Sequence, residues 1–206
     1  MSFPLKLTRA LVPVALLASG GTALAAPSAE LAQVENHLAS AQSMTADFVQ
    51  TDARNRSLKG TLAMKRPGRI RFDYGQANML LVGNGKTLTF IDYEVGQKSA
   101  WPIAKSPLSV LLSVKPDLQR IARVLPSADP RVLLVRARDA RRPEFGTLIL
   151  AFVKSGSAPG GLLLEGWTAI DAQNKRTTVR LAGQRYNVAV PEISFTYPEP
   201  KKRKKA

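Results

Sequence analysis

The feature that most constrains this chain is a long succession of short segments in which apolar and polar residues alternate. The clearest segment covers residues 69–74, where Ile70, Phe72 and Tyr74 are separated by polar residues. Successive side chains of a strand point to opposite faces, so these three residues share one face. The Asn-Gly pair at 84–85 predicts a tight hairpin, because both residues tolerate positive φ. The pattern therefore predicts antiparallel strands with one apolar face to bury.

The same alternation recurs along most of the chain and predicts about ten strands, which as an uninterrupted meander form a barrel or a strongly curved half-barrel. The turns between them are rich in Gly, Pro, Asp and Asn, as hairpin connections are. The predicted strands cover residues 44–51, 58–65, 69–74, 79–82, 87–93, 97–103, 131–138, 146–153, 162–171 and 175–186.

Helical spacing of apolar residues predicts three helices. The first covers residues 28–42, with Ser28 as its N-cap. The second covers residues 106–114 and is apolar on almost every side, so it must be covered by other elements. The third has its apolar stripe at Leu118, Ile121, Ala122 and Leu125. We expect a mainly β fold with α: an antiparallel open (unclosed) β-barrel or half-barrel, covered by about three helices that act as a lid.

Both ends of the chain are expected to lie outside this domain, which would cover residues 26–198. Residues 1–25 combine Lys6 and Arg9, a short apolar run and the small residues Ala23 and Ala25. This plan predicts a cleaved secretory signal peptide, with an uncleaved anchor or a soluble N-terminal helix as the alternative. The apolar run is shorter than the roughly 20 residues of a membrane span.

Residues 199–206 form a basic tail, and the whole chain carries a formal net charge of +15. A terminal run of like charge is typical of a disordered, solvated segment. Attraction to anionic lipid headgroups or to a partner is an equal alternative for this tail. Export argues against nucleic acid as a partner, so none is expected, and we expect a monomer.

The composition offers little for catalysis. The chain has no cysteine and one histidine, His37, whereas zinc sites need clusters of Cys, His, Asp or Glu. No serine lies in a Gly-x-Ser-x-Gly turn, and residues 83–87 lack the first glycine of a phosphate-binding loop. We predict no enzyme activity, no metal and no cofactor. A hydrolase that uses His37 or scattered carboxylates stays open as an alternative.

Residues 47–103 resemble the outer-membrane lipoprotein carrier (LolA) family. Phe48-Val49-Gln50 matches its early Phe-x-Gln, and residues 60–74 match its central signature: a glycine, a strand, Lys65-Arg66-Pro67 and an aromatic strand. The hairpin at 85–93, Gln97 and the segment 107–112 follow in the family's order. The chain departs from the family in its basic tail and in Ile70, where an aromatic residue is expected.

The resemblance implies an open β-barrel capped by helices, and a soluble periplasmic carrier of acylated lipoproteins. Such a carrier takes its cargo from an inner-membrane lipoprotein-releasing transporter and passes it to an outer-membrane receptor. The family's arginine in Lys-Arg-Pro fastens the helical lid by hydrogen bonds, and here it falls on Arg66. The receptor shares the fold but is anchored by a lipid on a cysteine, so the absence of cysteine favours the carrier.

Strand phase bears on Arg66 as well, because Leu62, Met64 and Arg66 share one face of their strand. An inward arginine can satisfy the carbonyls at a helix end; alternatively, Arg66 ends its strand and turns into solvent. The same phase predicts a lipid-binding cavity, with ordinary core as the alternative for each residue. The predicted lining is Leu62, Met64, Ile70, Phe72, Leu88, Phe90, Leu148, Leu150 and Phe152 from the sheet, with Trp101, Leu108, Leu111 and Leu112 from the lid side.

Two further functions stay open from sequence. One is a paralogue on the same fold that carries another lipid or glycolipid, or that senses envelope lipoproteins. The other is a non-catalytic periplasmic binding module that uses the basic tail.

Overall fold

A computed structural model of the protein describes residues 28–201. This part of the chain forms three α-helices and a single sheet. The helices are α1 (Ala29–Ser40), α2 (Ser109–Leu112) and α3 (Leu118–Ile121). The strands are β1 (Ser43–Thr51), β2 (Ser57–Lys65), β3 (Arg69–Asp73), β4 (Met79–Asn84), β5 (Thr87–Asp92), β6 (Gln97–Pro102), β7 (Ala122–Leu125), β8 (Val132–Ala137), β9 (Thr147–Lys154), β10 (Leu162–Ile170) and β11 (Arg176–Tyr186).

The sheet is antiparallel, in the order β6-β5-β4-β3-β2-β1-β11-β10-β9-β8-β7. Within the described residues β6 and β7 each have one strand neighbour, so the sheet has two free edges and does not close. The predicted fold class, an open half-barrel with a few helices, is confirmed. The lid, which is the segment 103–121 with α2 and α3, connects the two edge strands.

Two β-bulges bend the sheet, since a bulge increases the local bend and twist of its strand. In β10 the extra residue is Glu165, between the partners of Phe152 and Ala151 on β9. In β11 the residues 183–184 lie opposite the single residue Ala46 of β1. The bulge in β10 also shifts the strand phase, so that both Leu164 and Trp167 belong to the main core.

The first helix begins as its sequence predicts and packs onto the concave side of the sheet. The Ser28 hydroxyl accepts a hydrogen bond from the backbone N–H of Leu31 at 3.4 Å. Leu31, Val34 and Leu38 are buried in the main core. The apolar stripe at i, i+3 and i+7 therefore places α1 against the sheet.

The prediction of a third helix that reaches Leu125 is wrong. The helix α3 ends at Ile121, and the next four residues form the edge strand β7. Ala122 lies opposite Ala137 of β8, and the Arg138 N–H donates to the Ile121 carbonyl at 2.9 Å. Pairing with β8 satisfies backbone groups that a longer helix would have left beside a bare sheet edge.

The convex side of the sheet carries a small second core that the sequence did not predict. Residues 188–198, here called the strap, cross the outer face of β2–β5. Glu192 of the strap pairs with Lys65 at 2.7 Å and with Arg69 at 2.6 Å. The buried members of this second core are Leu80, Val82, Ile91, Val190 and Phe195.

The predicted signal peptide, residues 1–25, lies outside the described residues, as do positions 202–206 of the predicted basic tail. The first tail residue, Glu199, forms an ion pair with Lys98 of β6 at 2.5 Å. Between residues 28 and 201, no helix is long and apolar enough to cross a membrane.

Candidate functional site: a latched lid and a mouth cavity

Arg66 follows directly after β2 and points to the concave side, which is the inward alternative that the family resemblance favoured. The side chain is 5% exposed. Its Nε donates to the Leu111 carbonyl of α2 at 3.2 Å, and its Nη1 donates to the carbonyl of Ala41, the C-cap of α1. One guanidinium therefore contacts both the lid and the end of the first helix.

The electrostatic setting of Arg66 is unusual for a buried charge. Desolvation lowers the pKa of Arg66 to about 10. The electrostatic interaction with Tyr186 has a smaller effect, which raises this pKa. The side chain stays protonated at neutral pH, close to carbonyls at the end of α1, where the helix dipole is negative. Among the described residues, Nη2 has no hydrogen-bond partner, and no ion pair to a carboxylate involves Arg66. Within residues 28–201, the hydrogen-bond partners of this buried charge are therefore the carbonyls of Leu111 and Ala41.

His37, the histidine of α1, is a packing residue in this structure. Its Nδ1 donates to the Pro159 carbonyl at 2.8 Å, and its ring meets Phe152 and Tyr186 edge to face. Burial is the main cause that lowers the pKa of His37 below 6.5, and the charge of Arg66 acts in the same direction. No group of three potential metal ligands occurs in the described part of the chain.

Most of the predicted lining residues lie in a tightly packed interior, here called the packed centre. Each is at most 2% exposed, and all belong to one core cluster with α1 and the lid. The packed centre contains Leu62, Met64, Ile70, Leu111, Leu112, Leu148, Leu150 and Phe152.

The other predicted lining residues, with one exception, surround a cavity of about 440 Å³, here called the mouth cavity. It lies between the β3–β6 part of the sheet and the β10–β11 hairpin, beside the start of the lid. The predicted residues that line it are Phe72, Leu88, Trp101 and Leu108. Trp101 was expected from the lid side, but it belongs to the edge strand β6, where it is 37% exposed. The exception, Phe90, is half-buried and is not part of the lining.

Sequence reasoning missed several apolar residues of the mouth cavity, among them Leu81, Phe145, Trp167 and Val179. Leu81 lies directly opposite Phe72 in the β3–β4 pair and opposite Phe90 in the β4–β5 pair, and the predicted hairpin at 84–85 could have revealed the second pairing. Trp167 lies directly opposite Val179 in the β10–β11 pair. The bulge at Glu165 hides Trp167 from a strict two-residue period, and the sequence carries no signal for that bulge. Val179 follows the ordinary alternation of β11, where Leu181 is buried as well.

Comparison with known proteins identifies the family of this chain. Residues 39–198 match the model of the family described as outer membrane lipoprotein carrier protein LolA. This chain belongs to the LolA family. An outer-membrane lipoprotein carrier protein of Chromobacterium violaceum is 25% identical over 202 residues, which cover 93% of this chain and 95% of that protein.

Two solved structures are also similar. A LolA superfamily protein from Nitrosomonas europaea has a TM-score of 0.45 and 11% identity, over 81% of this chain and 97% of that one. A DUF1329 family protein from Desulfovibrio piger has a TM-score of 0.38 and 9% identity, over 84% of this chain and 97% of that one.

Proposed function

We propose that this LolA family protein is a periplasmic carrier that binds the acyl chains of lipoproteins in its mouth cavity. It takes them from an inner-membrane transporter and delivers them to an outer-membrane receptor, without catalysing a reaction. The observation that carries this proposal is a cavity lined mainly by apolar residues, beside a lid whose helices have only four residues each. The similarity to a lipoprotein carrier over nearly the whole chain supports it.

Magnitudes explain why a carrier needs such a lid. Each buried methylene contributes about 0.8 kcal/mol, so several long acyl chains would contribute tens of kcal/mol. Non-covalent affinities end near 18–21 kcal/mol, and a carrier close to that limit could not release its cargo. Part of the gain must therefore be offset by something that cargo displaces.

The lid is the part of the protein that cargo would displace. Leu111 and Leu112 are at most 1% exposed and fill the concave side in this closed state. Acyl chains that enter beyond the mouth cavity would replace apolar contacts that the lid already makes, so only the difference appears as affinity. Single helical turns have little stability of their own. The position of α2 and α3 therefore depends on packing and on a few hydrogen bonds.

Arg66 is the latch in this scheme. Its bonds to Leu111 and Ala41 hold the lid against α1 in the closed state. Opening the lid would break the bond to Leu111 and admit water to a charge that has no carboxylate partner in the described residues. Hydration of that charge would offset part of the cost of opening, because a charge is more stable in water than buried without an ionic partner.

Native mass spectrometry of the protein purified from periplasm tests the proposed cargo. We expect bound species whose masses correspond to acylated proteins. Phospholipid or glycolipid adducts in their place would favour a paralogue with another cargo. Protein that never carries an acylated species, even when lipoprotein export is blocked downstream, would contradict the carrier function.

The Arg66→Leu variant tests the latch separately, with Lys65→Leu as a matched control. Both variants lose one positive charge, but Lys65 is half-exposed and pairs with Glu192 on the other face. We expect Arg66→Leu to fold and to release a bound triacylated lipopeptide more slowly than the control does, or to fail to close. Normal uptake and release by Arg66→Leu would show that Arg66 is not a latch.

A further inference from the structure

A second cleft lies at the β7 edge of the sheet and has a strongly basic lining. It measures about 410 Å³, and we call it the arginine cleft for its residues Arg120, Arg123, Arg136, Arg138 and Arg141. Val135 and Ala137 are buried on the concave side. Because successive side chains of a strand alternate, Arg136 and Arg138 face outward, and both are exposed. The one carboxylate of the lining, Asp139, already pairs with Arg120 at 3.2 Å.

The strand register brings like charges together in this cleft. Arg123 of β7 lies directly opposite Arg136 of β8, and like charges in that position destabilise a sheet. Arg123 donates to the backbone carbonyl of Ala122 at 2.6 Å and has no ion pair within residues 28–201. One charge on an edge strand would keep it from pairing with another sheet. That role does not account for Arg136, which lies on the inner strand β8, or for Arg138, which follows directly after β8.

The chemistry of the cleft points to an anion that carries several acceptor oxygens. All five basic residues are arginines, and a guanidinium binds phosphate oxygens with two parallel hydrogen bonds. Phosphate groups between Arg123 and Arg136 would turn their repulsion into shared attraction. The whole chain has a net charge of +15, and each basic residue near an anionic lipid surface adds to the attraction. We propose that the arginine cleft docks this protein on the phosphate headgroups of an anionic phospholipid bilayer.

The position of the cleft gives this docking a consequence, which rests on the carrier function proposed above. The loop at 138–146 contributes Arg138 and Arg141 to the arginine cleft and Phe145 to the mouth cavity. Docking through the cleft would hold the mouth cavity close to the bilayer, where acylated cargo is collected. Arg120 of the lid lines the same cleft, so headgroup phosphates would compete with Asp139 for it.

Vesicle flotation with the empty full-length protein tests the docking. Vesicles of phosphatidylglycerol and phosphatidylcholine are compared with vesicles of phosphatidylcholine alone. We expect binding to the anionic vesicles, weakened roughly 25-fold in the double variant Arg123→Gln/Arg136→Gln, or about fivefold for each arginine. The matched control is Lys154→Gln/Arg185→Gln, which also removes two exposed positive charges. Lys154 is the last residue of β9 and lies beside the start of β8, whereas the arginine cleft lies at the end of β8. The control should bind within about twofold of the unaltered protein, because separated charges are screened.

Three results would overturn the docking proposal. They are equal binding to neutral and anionic vesicles, equal loss in both double variants, and retention on immobilised polyglutamate without binding to vesicles. Loading with a triacylated lipopeptide is measured in parallel without vesicles. Normal loading with no vesicle binding would contradict only the docking proposal. Vesicle binding with no loading would contradict only the proposed carrier function.

Discussion

The packed centre and the mouth cavity are built from the same kind of strand, yet the first is filled and the second leaves space for a ligand. Both consist of concave-facing apolar residues on alternating positions. In the packed centre, every such residue belongs to one cluster with residues of α1 and the lid, and its side chains are at most 2% exposed. Around the mouth cavity Phe72 and Leu88 are buried as well, but Trp101 at the sheet edge is 37% exposed and an open space of about 440 Å³ remains. The difference lies in what covers a residue and not in the residue itself.

Within one concave surface, the packed centre therefore contributes mainly to stability and the mouth cavity mainly to binding. A packed centre fixes the curvature of the sheet, while a partly filled cavity leaves apolar surface for a ligand. An exposed apolar patch in a groove is a common mark of a binding site. Mutations in the two regions should therefore affect different measurements.

The largest contrast is expected between Phe152→Ala and Trp101→Ala. Phe152 is fully buried and touches the ring of His37, so its loss should cost about 3–5 kcal/mol of unfolding free energy. Trp101→Ala should cost less than about 1 kcal/mol, since much of its surface already faces water, but it should weaken lipopeptide binding. Urea unfolding and a binding titration check the pair. Equal stability losses would erase the distinction between the two regions.

A smaller effect is expected at Gly60, which lies under the ring of Phe48. A Cβ at Gly60 would lie 1.9 Å from the Asp73 carbonyl oxygen and 2.9 Å from Phe48. Gly60→Ala should therefore cost about 1–3 kcal/mol, as overpacking does. Gly156→Ala is the control, because nothing lies within 4 Å of its Cβ position. A thermal melt in which both variants match the unaltered protein would show that β2 and β3 can shift freely here.

The smallest effect is a pH dependence from His37. Burial lowers its pKa below 6.5, so the unfolded chain binds more protons than the folded one at mildly acidic pH. Stability should then fall as pH drops below 6.5, by at most about 1.4 kcal/mol per pH unit, until His37 itself is protonated. Urea unfolding of the protein and of His37→Gln at several pH values isolates this contribution. The same slope in both proteins would assign it to other groups.

Much of the fold was predictable because it depends on local patterns. Alternation located the strands, the Asn-Gly pair located a hairpin, and Ser28 located the start of α1. The segment after Ile121 was not predictable in the same way. Its apolar spacing suits a helix, but Ala122 forms part of a strand because β8 offers it a free edge. A distant partner decided the conformation, and local spacing carries no information about that partner.

The candidate site divides along the same line. Strand phase left Arg66 either inward or turned into solvent, and the family resemblance favoured the inward position; the burial of Arg66 agrees with the resemblance. Phase could not separate Leu150, which is packed, from Leu88, which lines the cavity, because both face the same side. That separation depends on where the lid crosses the sheet. Trp167 was missed for a different reason, since the bulge at Glu165 changes the phase within a single strand.

The central claim is that cargo displaces the lid from the concave side, and a distance measurement tests it most directly. The chain has no cysteine, so spin labels can be attached at Ser109→Cys in α2 and Thr61→Cys in β2 without further changes. A second pair, Thr61→Cys and Arg180→Cys, lies within the sheet and serves as the reference. Electron paramagnetic resonance of each pair is recorded before and after loading with a triacylated lipopeptide. We predict a longer Ser109–Thr61 distance on loading and an unchanged reference distance; bound lipopeptide with both distances unchanged would contradict the account.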